Sequence, residues 1–218
     1  MNLRQFTSFD WFTICLIVIF LGIVVLKSNN VIKFALFAKL AYSDDYFKLK
    51  DKELRFFSAF EMIAIVIAHL IITQFIYFLV KDLKLVSDLN LSSLTQVFFL
   101  FLIISFISFL KYQIENLVNK CITDSKILRH YQVYKQIIWS YSIYLGLPFL
   151  IMAAYYPSDN STFLFLGLAI TVAYYILKIL IIIYKNRRLL IGNWYYFILY
   201  LCALEIAPYF FLYKIIGV

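Results

Sequence analysis

The chain has 218 residues, of which 64% are hydrophobic and 15% charged, against ~45–50% apolar and ~25% charged in soluble domains. Twenty Lys and Arg against twelve Asp and Glu give a net charge of +8. This balance excludes an ordinary water-soluble domain. It also turns the excess of cations from a nucleic-acid signal into a topology signal with affinity for anionic lipid headgroups.

Six runs approach the ~20 apolar residues that a spanning helix needs. In chain order they cover 9–26, 56–80, 94–110, 137–156, 163–184 and 194–213. They predict an all-α membrane protein, a six-transmembrane-helix bundle with cytoplasmic amphipathic segments, in one integral domain over 1–218. Arg4 precedes the first run, but no small-x-small cleavage pattern follows Leu26, so it reads as an uncleaved helix. The second run is the longest, and tilt would accommodate it. The third is the shortest.

The connections carry the charge. Seven Lys and Arg lie between the first and second runs, five between the third and fourth, and three between the fifth and sixth. The remaining connections and the termini hold only Arg4, Lys81, Lys84 and Lys214. Cytoplasmic loops are the ones enriched in Lys and Arg. The count therefore predicts a bacterial inner membrane protein with both termini periplasmic.

Within the first basic connection, Val31, Phe34, Ala35, Ala38 and Tyr42 fall on one helical stripe. A short amphipathic helix at headgroup level is expected there. In the third connection Ile114, Leu117, Val118, Cys121 and Ile122 repeat at helical spacing, and Thr123, Asp124 and Ser125 supply N-cap chemistry. The third and fourth spans are thus expected to extend past their apolar runs as a helical hairpin. Segments of this kind make a cytoplasmic or membrane protein the expected partner, beside the lipid itself.

Ionisable groups cost ~2.5–3.5 kcal/mol or more at the centre of a span, so Glu61, His69, Lys178 and Glu205 are the intramembrane polar candidates. At ~1.5 Å per residue, Glu205 and His69 fall near the midplane. Lys178 and Glu61 fall in the inner leaflet. That depth matching predicts the pairs Glu205–His69 and Lys178–Glu61, although Lys178 can also snorkel to the headgroups. Pro208 removes the helical partner of the Leu204 carbonyl and marks a kink beside Glu205. Gly146 and Pro148 mark a bend or a close helix contact in the fourth span. Trp11, Trp139, Trp194, Tyr195 and Tyr196 fall near span ends, as aromatic belts do.

Chemical motifs are sparse. Cys15, Cys121 and Cys202 lack metal-ligand spacing, and the histidines are only His69 and His130, so no metal, cofactor or catalytic residue is assigned. No phosphate-binding glycine loop, zinc-protease helix or serine elbow occurs. Asp44 and Asp45 beside basic residues are the one hint of a site for a lipid-linked phosphate.

The segment Leu201-Cys202-Ala203-Leu204-Glu205-Ile206-Ala207-Pro208 resembles the C-terminal signature of a Bacteroidota family of small polytopic membrane proteins of unknown function. The resemblance implies an inner-membrane location and a Gram-negative host, and it points to Glu205 and Pro208. It carries no activity. The leading expectation is a non-enzymatic subunit or scaffold of an envelope complex, in a lineage whose machines include secretion and gliding. A small proton-linked carrier using Glu205 and His69 is the alternative, and a lipid-phosphate enzyme at the cytoplasmic face is the second alternative.

Overall fold

The computed structural model describes residues 10–51, 58–82, 93–121, 125–156 and 160–185. All regular structure among them is helical: α1 (Asp10–Asn29), α2 (Val31–Ala38), a 3-10 turn (Lys39–Ala41), α3 (Asp45–Asp51), α4 (Ala59–Asp82), α5 (Ser93–Cys121), α6 (Ser125–Tyr155) and α7 (Asn160–Lys185). Five of these, α1, α4, α5, α6 and α7, are long and apolar enough to cross a membrane. They coincide with the first five expected runs. The sixth run, 194–213, lies outside the described residues, and Glu205, Pro208, Trp194, Tyr195 and Tyr196 lie there with it.

Local chemistry sets the breaks. Asn30 leaves the helical path with φ −157° and ψ 100°, and its side chain accepts from the Lys33 amide to start α2. The hairpin expected from periodicity is present. α5 runs 29 residues and α6 runs 31, so both continue well past their apolar cores. α6 passes through Pro148 without interruption. The ring of Pro148 is exposed, and the helix forgoes the hydrogen bond that its missing N–H would make.

α4 is the centre of the bundle and packs against α1, α5, α6 and α7. The tightest joint involves two glycines. A Cβ on Gly146 would lie 2.8 Å from Thr171 and 3.0 Å from Phe75, and one on Gly167 would lie 2.8 Å from Phe149 and 3.2 Å from Phe75. The fully buried Phe75 of α4 thus seats against the glycines of α6 and α7. Gly146 is therefore a close helix contact, as small residues are where helices associate in lipid.

Two apolar clusters divide the interior. One lies at the basic end and gathers Phe37, Leu40, Tyr46 and Phe60 with Ile138 and Tyr141. The other gathers Phe12, Ile19, Ile71 and Phe75 with Leu150 and Leu164. The outside is as apolar as the inside: Leu21, Val24, Phe98, Phe106, Leu177 and Leu180 are all exposed. Together with the five long apolar helices, such a surface is compatible with a multi-pass membrane protein.

The expected stripe on α2 is turned away from the bundle. Val31, Ala35, Ala38 and Tyr42 are exposed, Phe34 is half-buried, and the inner face is Lys33, Phe37 and Leu40. Hydrophobic patterning does not signal Lys33 on the inner face, because it cannot register a lysine whose charge is met inside the bundle.

Candidate functional site

Two polar sites stand out among the described residues. The first closes its basic end. Ser58 precedes α4, and Glu61 sits three residues later in the first turn. The Ser58 amide donates to Glu61 Oε2 at 2.5 Å, and the Ser58 hydroxyl donates to the same oxygen. This is the return half of a capping box, in which a first-turn carboxylate reaches back to the N-cap amide. Tyr46 of α3 donates to Oε1 at 2.9 Å. Lys50 Nζ lies 3.1 Å from Oε1 and Lys33 Nζ lies 3.8 Å away, while Lys33 also donates to the Ser58 hydroxyl at 3.1 Å. Glu61 is 1% exposed, and both lysines are buried. One carboxylate thus gathers α2, α3 and α4 into a cap.

Tyrosine hydroxyls fasten the cap to the rest of the bundle. Tyr141 donates to the Ala38 carbonyl at 3.2 Å and Tyr174 to the Leu40 carbonyl at 3.1 Å. Those carbonyls end α2 and line the following 3-10 turn, where intrahelical partners run out. Tyr144 donates to the Ala64 carbonyl within α4 at 3.2 Å. Nearby, Lys178 Nζ lies 3.7 Å from Asp44 Oδ1.

The expected pair Lys178–Glu61 is therefore not formed. Depth alone suggested it, but Glu61 belongs to the N-terminus of its own helix and is surrounded by Ser58, Tyr46 and two lysines of the cap. Lys178 meets Asp44 instead. The signal that would have assigned Glu61 was present as Ser58-x-x-Glu61 ahead of an apolar run. In the sequence Lys33 and Lys50 look like any topology charge, and Tyr46 carries no signal of its own. A second buried pair also escaped sequence reading: Lys135 Nζ of α6 donates to Glu115 Oε1 of α5 at 2.7 Å, with both side chains 5% exposed.

Asp45 stands on the outside of the cap. It accepts from Lys48 at 2.7 Å and from Ser43 at 2.6 Å. The Lys48 ammonium, and after it the Ser43 hydroxyl, hold the Asp45 carboxyl below the usual carboxylate range, and Asp45 raises Lys48 in return.

The second polar site surrounds His69, which is 6% exposed. Its Nδ1 lies 2.8 Å from the Ile65 carbonyl. Its Nε2 is buried and has no hydrogen-bond partner among the described residues. The ring lies 4.9 Å from that of Trp139. A cavity of about 420 Å³ opens between α4, α5 and α6 beside it, lined by Val66, His69, Ser105, Ser108, Phe109 and Gln136 among others. Trp139 thus stands beside His69 within α6. The expected partner of His69, Glu205, lies outside the described residues.

The family with the description Domain of unknown function (DUF4271) matches residues 12–216. The chain belongs to the DUF4271 family. No curated protein and no solved structure matches it. The DUF4271 match takes in both polar sites and the stretch that contains Glu205 and Pro208, and its description assigns no activity to any of them.

Proposed function

We propose that this DUF4271 protein is a multi-pass protein of a bacterial inner membrane, serving as a non-enzymatic subunit or scaffold of an envelope complex. The C-terminal signature around Glu205 supports a Bacteroidota host, with secretion or gliding as the setting. The excess of Lys and Arg in alternate connections supports periplasmic termini and a cytoplasmic cap.

The observation that carries this reading is the cap itself. Glu61, Lys33, Lys50, Tyr46 and Ser58 hold one another inside the bundle, so the cap is a fixed platform. A preorganised surface loses little entropy when a partner docks. Its outer face presents Lys39 and Tyr42, with Val31 and Ile32 exposed beside Lys27 in a composition suited to the headgroup region. The test is purification from the native host in mild detergent, followed by mass spectrometry. The full chain brings down a stoichiometric partner, and Lys39→Glu with Tyr42→Ala loses it without changing the thermal midpoint. A clean monomer, with no partner retained, refutes the subunit reading.

The carrier reading is favoured by one feature, a buried histidine, His69, that lines a cavity. It expects Glu205→Gln to leave expression intact and abolish proton-coupled uptake into vesicles. The lipid-phosphate enzyme draws no support from its two aspartates. Asp45 is engaged by Lys48 and Ser43, and Asp44 faces Lys178.

A further inference from the structure

The two short helices of the cap are built in opposite senses. α3 turns Asp45 and Lys48 outward as an exposed ion pair, and Tyr46 and Phe47 inward, which is the pattern of a helix against water. α2 has one ionisable residue, Lys33, and turns it inward, where it donates to the Ser58 hydroxyl at 3.1 Å and lies 3.8 Å from Glu61 Oε1. Its outer face is Val31, Ile32, Ala35 and Ala38, with Val31 61% and Ile32 69% exposed. An uncharged outer face over a buried lysine is the arrangement of a helix in hydrocarbon, where charges turn to the protein interior. In water it would bury the group that is costly to bury and expose the apolar ones.

The chain leaves α2 little room to stand elsewhere. α1 is long and apolar enough to cross a membrane, and Asn30 alone separates it from α2. Val31 therefore lies within about 7 Å of the end of α1. The exposed Val24 and Val25 of α1 lead on to the exposed Val31 and Ile32. Two exposed lysines, Lys27 and Lys39, flank this surface, and residues 11–43 contain no Asp or Glu. Cations at the edges of an apolar face match anionic headgroups above acyl chains.

We propose that the outer face of α2 is a lipid-binding surface: Val31, Ile32, Ala35 and Ala38 lie among the acyl chains of the leaflet at the basic end, and Lys27 and Lys39 hold the phosphates of anionic phospholipid. α3 faces water, so the cap straddles the surface of the bilayer. This assignment rests on the reading of α1 as a span. It goes beyond the docking of a protein partner, because it gives α2 to lipid and leaves Tyr42 and α3 as the side open to a protein.

The test uses the full chain with Cys15, Cys121 and Cys202 changed to Ala and one spin-labelled cysteine introduced, in nanodiscs of phosphatidylethanolamine and phosphatidylglycerol. Oxygen, which partitions into hydrocarbon, and a water-soluble nickel chelate are the relaxing agents. Ile32→Cys is expected to favour oxygen, as Leu21→Cys in α1 does, and Lys48→Cys to favour nickel. Nickel access at Ile32→Cys equal to that at Lys48→Cys overturns the proposal and leaves the span reading in place. Protection of Ile32→Cys from both agents, the mark of a covering protein surface such as a second copy, also overturns it. Nickel access at Leu21→Cys overturns the span reading and the proposal with it. The lipid class is read on the unlabelled protein by mass spectrometry of the intact complex released from the same nanodiscs. Phosphatidylglycerol is retained in preference to phosphatidylethanolamine, and Lys27→Gln and Lys39→Gln each lower that preference about fivefold, as expected for one lysine at an anionic surface. Equal retention of the two lipids by the wild type, or an unchanged preference in the double variant, overturns the assignment of anionic lipid to these lysines.

Discussion

The two ends of the bundle are built from the same helices α4, α6 and α7 but are joined by different forces. At the basic end, the helices and the cap meet through a buried carboxylate, buried lysines and tyrosine hydroxyls on carbonyls. At the other end the joint is nearly all ring and aliphatic contact. Phe12 packs edge-on to Phe78 at 5.3 Å, Trp11 to Tyr77 at 4.8 Å, and Thr13 and Tyr155 share a hydrogen bond of 2.9 Å. In hydrocarbon, burying a Leu or Phe gains little by transfer, because lipid is equally apolar. Shape then holds one end, and directional polar contacts hold the other. The polar end fixes which segments meet. The apolar end fixes how closely they approach.

That contrast can be broken from the polar side first. Glu61→Ala leaves two buried ammonium groups without their carboxylate and is expected to cost about 3–5 kcal/mol, read as a lower thermal midpoint and faster proteolysis between α1 and α4. Little recovery is expected in high salt, because burial shields the site. Lys135→Met alone is expected to cost about 3 kcal/mol by stranding Glu115, whereas Lys135→Met with Glu115→Leu returns close to the wild type. A double-mutant cycle on thermal midpoints measures the difference. If the double variant is as unstable as the single one, the α5–α6 joint needs the charge itself.

From the apolar side, Phe75→Ala empties the seat between Gly146 and Gly167. It is expected to cost about 2–3 kcal/mol, mostly the cavity term. Gly146→Ala in that background should fit better than in the wild type, where its methyl meets Thr171 and Phe75. Tyr174→Phe removes one hydrogen bond to the 3-10 turn and is expected to cost about 1 kcal/mol. Hydrogen exchange in α2 should report it before any global signal does.

The smallest effect is a pH dependence outside the bundle. Asp45 has a lowered folded pKa, so its contribution is present above the ordinary carboxylate range and is lost as pH falls through the lowered value. Lys48 is raised, so its share is present below the ordinary lysine range and is lost as pH rises through the raised value. Both groups are exposed, and Asp45→Asn should shift the acid limb slightly without touching Glu61.

Much of this was legible in the residues. Long apolar runs report helices because hydropathy and the 3.6-residue period are local properties. Hence α1, α4 and α7 fall close to their expected bounds, and Thr123-Asp124-Ser125 anticipated the start of α6. The polar site was legible only in part. Glu61, His69 and Lys178 stood out as charged or polar groups in apolar runs, and Ser58-x-x-Glu61 was readable as a cap. Lys33, Lys50 and Tyr46 were not, since a compensated lysine in a connection looks like any topology charge.

By itself, the order of residues determined that the described chain is helical, where five long apolar helices lie, and that cations collect in alternate connections. These follow from transfer energies and backbone periodicity, which each segment carries alone. Only the tertiary structure decided that Lys50 and not Lys178 meets Glu61, that α2 turns Lys33 inward, and that His69 lines a cavity against α5 and α6. Those outcomes depend on which side chains come within a few ångströms across helices far apart in sequence, and depth along a helix does not encode azimuth around it.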